Sequence, residues 1–382
     1  MATTSYGTPM PMGSQPMTTS NISSELRVIL NGGKVYTSLI PDIDISPAQK
    51  EVITGPLWSN QQSTLYKIFT SSFQNVNQKR YYYEVYNTSS TLLSSEPQFS
   101  VAYGDLVGSG SDRGTGDIDD YPTKAIYRQY KQLLLDPGEN IFEFKDGETS
   151  EHVYIVNINR SRYKDKVDTS NWQLSLSKLD VNTSSSIASD ADVITLIDDS
   201  GTPSTDYFYG IGRVFNVRSG SITNGIYTAN TTQWGLFYPD AGVIVLNGKA
   251  LDASASFYTN RSPSTASINQ NNAFRLFTSI SGAMSYNTSS YAFEGRTSEV
   301  ISSTYYFARL YNGDYNYTTN PSFVSGTFSE IRYTSMADDP SVYVTTVGLY
   351  NSSAELLAVA KLSKPLHKSF EKEIVIKVKL DY

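Results

Sequence analysis

The amino-acid sequence predicts a mainly-β protein: two or more β-sandwich or barrel-like units, with one amphipathic helix packed on the N-terminal sheet. Three observations lead there. Short alternating or β-branched runs recur along nearly the whole chain, separated by turn pairs such as Asn31-Gly32, Asp146-Gly147 and Asn247-Gly248. One strongly helical segment interrupts them at 122–135, where Ile126, Tyr130, Leu133 and Leu134 follow at spacings of four, seven and eight. At 382 residues, the chain has room for two or three domains that each bury a core without a disulfide or a membrane span.

Taken in order, residues 1–24 carry no charged side chain and no apolar core of a signal peptide. They have the composition of an extended arm, and its large side chains, Tyr6, Met10, Met12 and Met17, are expected to contact a neighbouring subunit. A β-rich domain is expected over 25–180. Its strands are read at 26–30, 34–39, 65–73, 80–87 and 98–103, followed by a glycine and aspartate loop and the helix. Pro122 suits a first helical turn, Asp117, Asp119 and Asp120 set negative charge near the positive end of the helix dipole, and Asp136-Pro137-Gly138 ends the helix. After a short strand at 141–145, the β-branched run 153–158 reads as a strand buried on both faces.

Arg160, Arg162, Lys164 and Lys166 then alternate strictly, so an extended backbone would line four positive charges on one face. That pattern suits a solvated hairpin arm or a charged contact with an acidic partner subunit. A second β domain is expected over 190–300, with strands at 193–197, 207–217, 225–229, 234–238 and 242–246. A polar loop over 253–272 leads to 273–278, read as one helical turn or a strand. The C-terminal β region, 301–382, holds a hairpin of 341–350 with 355–362 and a last strand over 374–382, one face apolar and the other mostly charged.

Composition narrows the chemistry. There is no cysteine, which removes disulfides, thiolate metal sites and cysteine nucleophiles together, and there are only two histidines, His152 and His367. The net charge of −7 gives no general affinity for nucleic acid or anionic membrane. Charged residues are 18%, below the roughly 25% of an average domain, while 29 tyrosines far outnumber 16 phenylalanines. Tyrosine joins a large apolar body to one polar tip, as contact surfaces favour. Gly108, Gly110, Gly114 and Gly116 do not follow the dinucleotide or P-loop spacing, and Asp112 with the later aspartates lacks the calcium-loop order. Neither histidine has a ligand-spaced neighbour. The sequence therefore predicts no catalytic residue, no cofactor and no metal.

Three segments, FSVAYGDLVGSGS with YPTKAIYRQYKQLLL, EHVYIVNINRSRYKDK and GLFYPDAGVIVLNGKAL, resemble virion structural proteins of large contractile-tailed bacteriophages, cyanophage-like. The stretch VTTVGLYNSSAELLAVAKLSKPL is similar to a hairpin of tail-collar fibre and baseplate proteins. The resemblance implies a non-enzymatic tail baseplate or wedge protein, assembled in the host bacterial cytoplasm and held by other virion proteins and copies of itself. A neck or connector protein and a tail-fibre attachment protein are alternatives within that class. A carbohydrate-binding or depolymerase receptor module is the alternative outside it.

Overall fold

The computed structural model describes residues 26–27, 29–30, 33–34, 39, 41–58, 63–70, 82–89, 92–110, 121–144, 147–180, 192–201, 207–209, 212–223, 226–257, 259, 261, 272–286, 291–316, 321–325, 330–351, 353 and 355–382. Tyr6, Met10, Met12 and Met17, and the aspartates at 112, 117, 119 and 120, lie outside the described residues. The chain divides into two compact units, Met1–Glu51 with Val300–Tyr382, and Val52–Glu299.

In chain order the smaller unit begins with β1 (Leu26–Arg27), β2 (Ile29–Leu30), β3 (Gly33–Lys34), the single turn α1 (Pro41–Asp44) and the start of β4 (Gln49–Pro56). The larger unit holds β5 (Thr64–Leu65), β6 (Phe69–Thr70), β7 (Tyr82–Tyr86), β8 (Pro97–Asp105), α2 (Pro122–Leu134), β9 (Phe142–Phe144), β10 (Glu148–Ser150) and β11 (His152–Ile158). It continues with β12 (Lys166–Ser177), β13 (Val193–Asp198), β14 (Tyr207–Tyr209), β15 (Gly212–Thr223), β16 (Ile226–Tyr238), β17 (Val243–Asn247), α3 (Gly248–Ser254), α4 (Asn272–Tyr286) and the first part of β18 (Phe293–Leu310). The smaller unit is completed by β19 (Val324–Ser325), β20 (Glu330–Ile331), α5 (Ser335–Asp338), β21 (Val342–Tyr350), β22 (Leu356–Lys368) and β23 (Ile374–Asp381).

The larger unit is built on one open sheet in the order β18-β12-β13-β15-β16-β17-β11-β8-β7-β6. Its neighbours pair antiparallel. β11 lies between β8 and β17 and is buried along nearly its whole length, as its β-branched run predicts. Side chains alternate between two cores. Tyr154, Val156 and Ile158 join Phe99, Val101, Tyr103, Ile244 and Leu246 on one face, together with Leu251 of α3 and Leu276 and Ile280 of α4. Val153 and Ile155 join Ala102, Val243 and Val245 on the other, under Tyr127, Tyr130 and Leu134 of α2 and Phe142 and Phe144 of β9.

This architecture corrects the expected fold class. The mainly-β character holds, but the sandwich or barrel-like units do not: among the described residues no sheet is closed, and in the larger unit helices cover both faces of the sheet. Two misread segments account for the difference. Residues 272–286 form α4, whose buried Ala273, Leu276, Ile280 and Ala283 recur at helical spacing, although Ser, Thr and Gly dilute the pattern. Asn247-Gly248 is no hairpin turn. The Asn247 side chain accepts the Lys249 N–H at 3.0 Å and caps α3.

α2 is present where expected and packs on the β8 and β11 face, but its buried stripe is Thr123, Tyr127, Tyr130 and Leu134, and Leu133 is 46% exposed. The expected strict alternation from Arg160 to Lys166 is also broken. Arg160–Arg162 is a short 3-10 turn capped by Asn159, and β12 starts only at Lys166, so the four cations do not share one strand face.

In the smaller unit β1, β21 and β22 form one sheet. The outer half of β18 pairs with β23 from Ser303 opposite Asp381 to Leu310 opposite Ile374. Leu39, Tyr306, Ala308, Leu310, Val344, Val347, Leu349 and Ile376 make its core. The expected hairpin is β21 with β22, and β22 runs on to Lys368 past Pro365, through a register shift between Val344 and Thr346. Lys368 is fully buried. Its Nζ donates to Asn312 O, Asn316 Oδ1 and Ser369 O at 2.8–3.1 Å, and burial lowers its pKa.

Candidate functional site

Where β8 ends and β11 begins, the register sets His152 opposite Asp105 and Tyr154 opposite Tyr103, on the face covered by α3. Asp105 is fully buried. One carboxylate oxygen accepts the N–H groups of Val107, Gly108 and Ser109 at 2.9–3.0 Å, and the other accepts Arg261 Nε at 2.9 Å. The glycine loop thus starts as a ring of backbone donors closed on the protein's own carboxylate, which occupies the place an anion would take. Gly108 has φ +92°, and a side chain there would run into the Tyr121 ring. Arg261 also donates to Glu151 at 2.8 Å, which holds that carboxyl below its usual range.

His152 is 3% exposed, and its Nε2 lies 3.0 Å from Asp252 Oδ2 of α3. The other oxygen of Asp252 accepts the N–H and hydroxyl of Thr259 at 2.9 and 2.6 Å. That commits the Thr259 proton, so the Tyr154 hydroxyl donates to Thr259 at 2.8 Å. Burial alone would raise the Asp252 pKa, but the bonds from His152 and Thr259 outweigh it and hold it low. Among the described residues, two buried polar atoms at this site have no partner, His152 Nδ1 and the Tyr103 hydroxyl. Burial pushes the Tyr103 pKa far up.

Chemically this cluster is a fastener. A His–Asp pair can serve a nucleophile only if a hydroxyl or thiol reaches the second imidazole nitrogen. Among the described residues no hydroxyl reaches that nitrogen, and the chain has no cysteine. Among the described residues no group of three or more His, Cys, Asp or Glu is placed to hold a metal ion. The pair instead pins α3 to β11 across a hundred residues of sequence, and Arg261 pins the chain beyond it to β8.

The basic segment is engaged in the same local way. Arg162 meets Glu96 at 2.5 Å and Lys164 meets Glu299 at 3.0 Å. Arg160 stacks 4.5 Å from the Tyr163 ring centroid and donates to Tyr163 O and Asp165 O. Lys166 is half-buried at the start of β12.

Arg160 also borders a cavity of about 480 Å³ on the α2 side of the sheet. Glu84, Ser100 and Asn157 are direct cross-strand neighbours on β7, β8 and β11 and line it together. They make a polar row beside the apolar cluster under α2. Leu133 of α2, Arg160, and Asp240 with Ala241 stand around it. The two aromatic rings of the lining are turned inward: Phe99 is 1% and Tyr163 5% exposed. The row is not legible in local sequence, because its three members come from strands that become neighbours only through sheet register.

No family model matches the chain, and neither a curated protein nor a solved structure matches it.

Proposed function

We propose that the chain is a non-enzymatic structural component of a contractile-tailed bacteriophage virion, placed in the tail baseplate or its wedge and acting through protein–protein contacts. The observation that carries this reading is the apolar surface of the β21–β22 hairpin. Tyr343, Leu356, Leu357, Val359 and Leu366 are each 37–56% exposed there. Large apolar side chains exposed on both strands of one hairpin suit contact with a partner. The hairpin is also the segment similar to collar-fibre and baseplate proteins.

The other resembling segments support the same reading. They lie on β8, on β11 and on β16, β17 and α3, and these strands are adjacent in the sheet. Together with α2, into which the first of them continues, they make one adjoining stretch of the sheet and its cover.

Cryo-EM of assembled particles tests the assignment. Density for the chain in the baseplate is the expected result, and density confined to the head or neck, or absence from purified particles, overturns it. Leu357→Asp with Val359→Asp, both on exposed positions, is expected to fold normally and to drop out of particles.

A further inference from the structure

We propose that the cavity between α2 and the turn at 159–163 binds a neutral, polyhydroxylated ligand of mono- or disaccharide size. The volume of about 480 Å³ lies within the range of small-ligand sites. Its chemistry selects the ligand class by elimination. An apolar guest would cover the polar groups of Glu84, Ser100 and Asn157, of which Glu84 has the Tyr86 hydroxyl as a partner, without offering them a hydrogen bond. An anion would face the carboxylates of Glu84 and Asp240. A cation would be drawn to those two carboxylates but would meet the Arg160 guanidinium beside them, which its stacking on Tyr163 and its two carbonyl partners hold in place, so the walls present both signs of charge at once.

A hydroxyl group donates to a carboxylate and accepts from a guanidinium or an amide, so a ring carrying several of them satisfies every wall at once. The row is set before any ligand arrives. The Ser100 backbone is paired on both sides, and the Glu84 carboxylate accepts the Tyr86 hydroxyl. With Phe99 and Tyr163 buried, recognition rests on hydrogen bonds without ring stacking, which points to modest affinity.

The inference does not depend on the virion assignment, and its test uses the purified full-length chain. Saturation-transfer NMR and calorimetry with glucose, galactose, N-acetylglucosamine, maltose and lactose should find at least one binder with a dissociation constant of about 1 mM. Lysine and inorganic phosphate serve as charged probes and should bind at least tenfold more weakly. Ser100→Leu, which fills the floor, should abolish binding. Glu84→Gln, which keeps the shape and removes the charge, should weaken it about fivefold. Circular dichroism verifies the fold of both variants. The proposal is overturned if no sugar binds at about 10 mM, if lysine or phosphate binds more tightly than any sugar, or if both folded variants bind like the parent.

Discussion

Tyr127 and Tyr103 show how differently two buried hydroxyls can act. The Tyr127 hydroxyl donates to Ser150 O and accepts from Phe142 N, each at 3.1 Å, and so ties α2 to the β9–β10 hairpin. Tyr127→Phe leaves both backbone groups buried and unpaired, and urea unfolding should show a loss of about 1–3 kcal/mol. Among the described residues the Tyr103 hydroxyl has no partner to lose. Tyr103→Phe should therefore leave stability unchanged or raise it by about 1 kcal/mol; a clear loss would show that the hydroxyl is satisfied by an ordered water. Neither role was legible in the sequence. Tyr127 was passed over because the expected stripe started from Ile126, and the partners of Tyr103 and His152 come from segments brought near only by the folded sheet.

Among the elements, those legible in advance are the ones whose pattern is local. β11 announces itself through Val153 to Ile158, the β21–β22 hairpin through two runs flanking a short polar turn, and α2 through Pro122 and the stop at Asp136-Pro137-Gly138. α4 was hidden because its buried residues are interleaved with Ser and Thr, weak helix formers that read equally well as strand or loop. Packing decides the matter. The hydroxyls of Ser177 on β12 and Ser279 on α4 each donate to the other residue's carbonyl, at 3.0 and 2.7 Å.

If α4 is a working face of the core, Ile280→Ala should cost about 2–5 kcal/mol, as for any large-to-small change at a fully buried site. Ser177→Ala with Ser279→Ala should be less than additive, because the two bonds share both residues. On the opposite face of the sheet Tyr130→Asp would set a carboxylate where a 7% exposed ring now packs, and it should abolish cooperative unfolding altogether. A folded, cooperative Tyr130→Asp protein would show that α2 does not brace the sheet.

The molecule as a whole has no cysteine to cross-link it, so its stability rests on buried surface and on buried polar groups whose ionisation would break the packing. On the acid side Asp252 has a folded pKa below its unfolded value of 3.8; its contribution is present above that value and lost as pH falls through the folded one. Asp198 acts in the opposite sense, since burial raises its pKa, and what it contributes in acid is lost as pH rises through its folded value. The two partly cancel. On the alkaline side Lys368, with its lowered pKa, adds stability up to its unfolded value of 10.5, but the buried tyrosines outweigh it. Burial pushes Tyr127 up to about 12 and raises Tyr103 and Tyr154 further, against an unfolded value of 10.0. A raised tyrosine contributes stability that is whole below its unfolded pKa and is lost as pH climbs from there through the folded one. The urea midpoint should therefore change little on mild acidification and fall steeply between pH 10.0 and about 12. Tyrosinate absorbance should appear together with unfolding. Tyr154→Phe tests the cause, because it removes one such group from the centre of the sheet and costs its single bond to Thr259. It should lower the midpoint at neutral pH and flatten the alkaline fall. An alkaline fall as steep as in the parent would place the sensitivity outside this buried cluster.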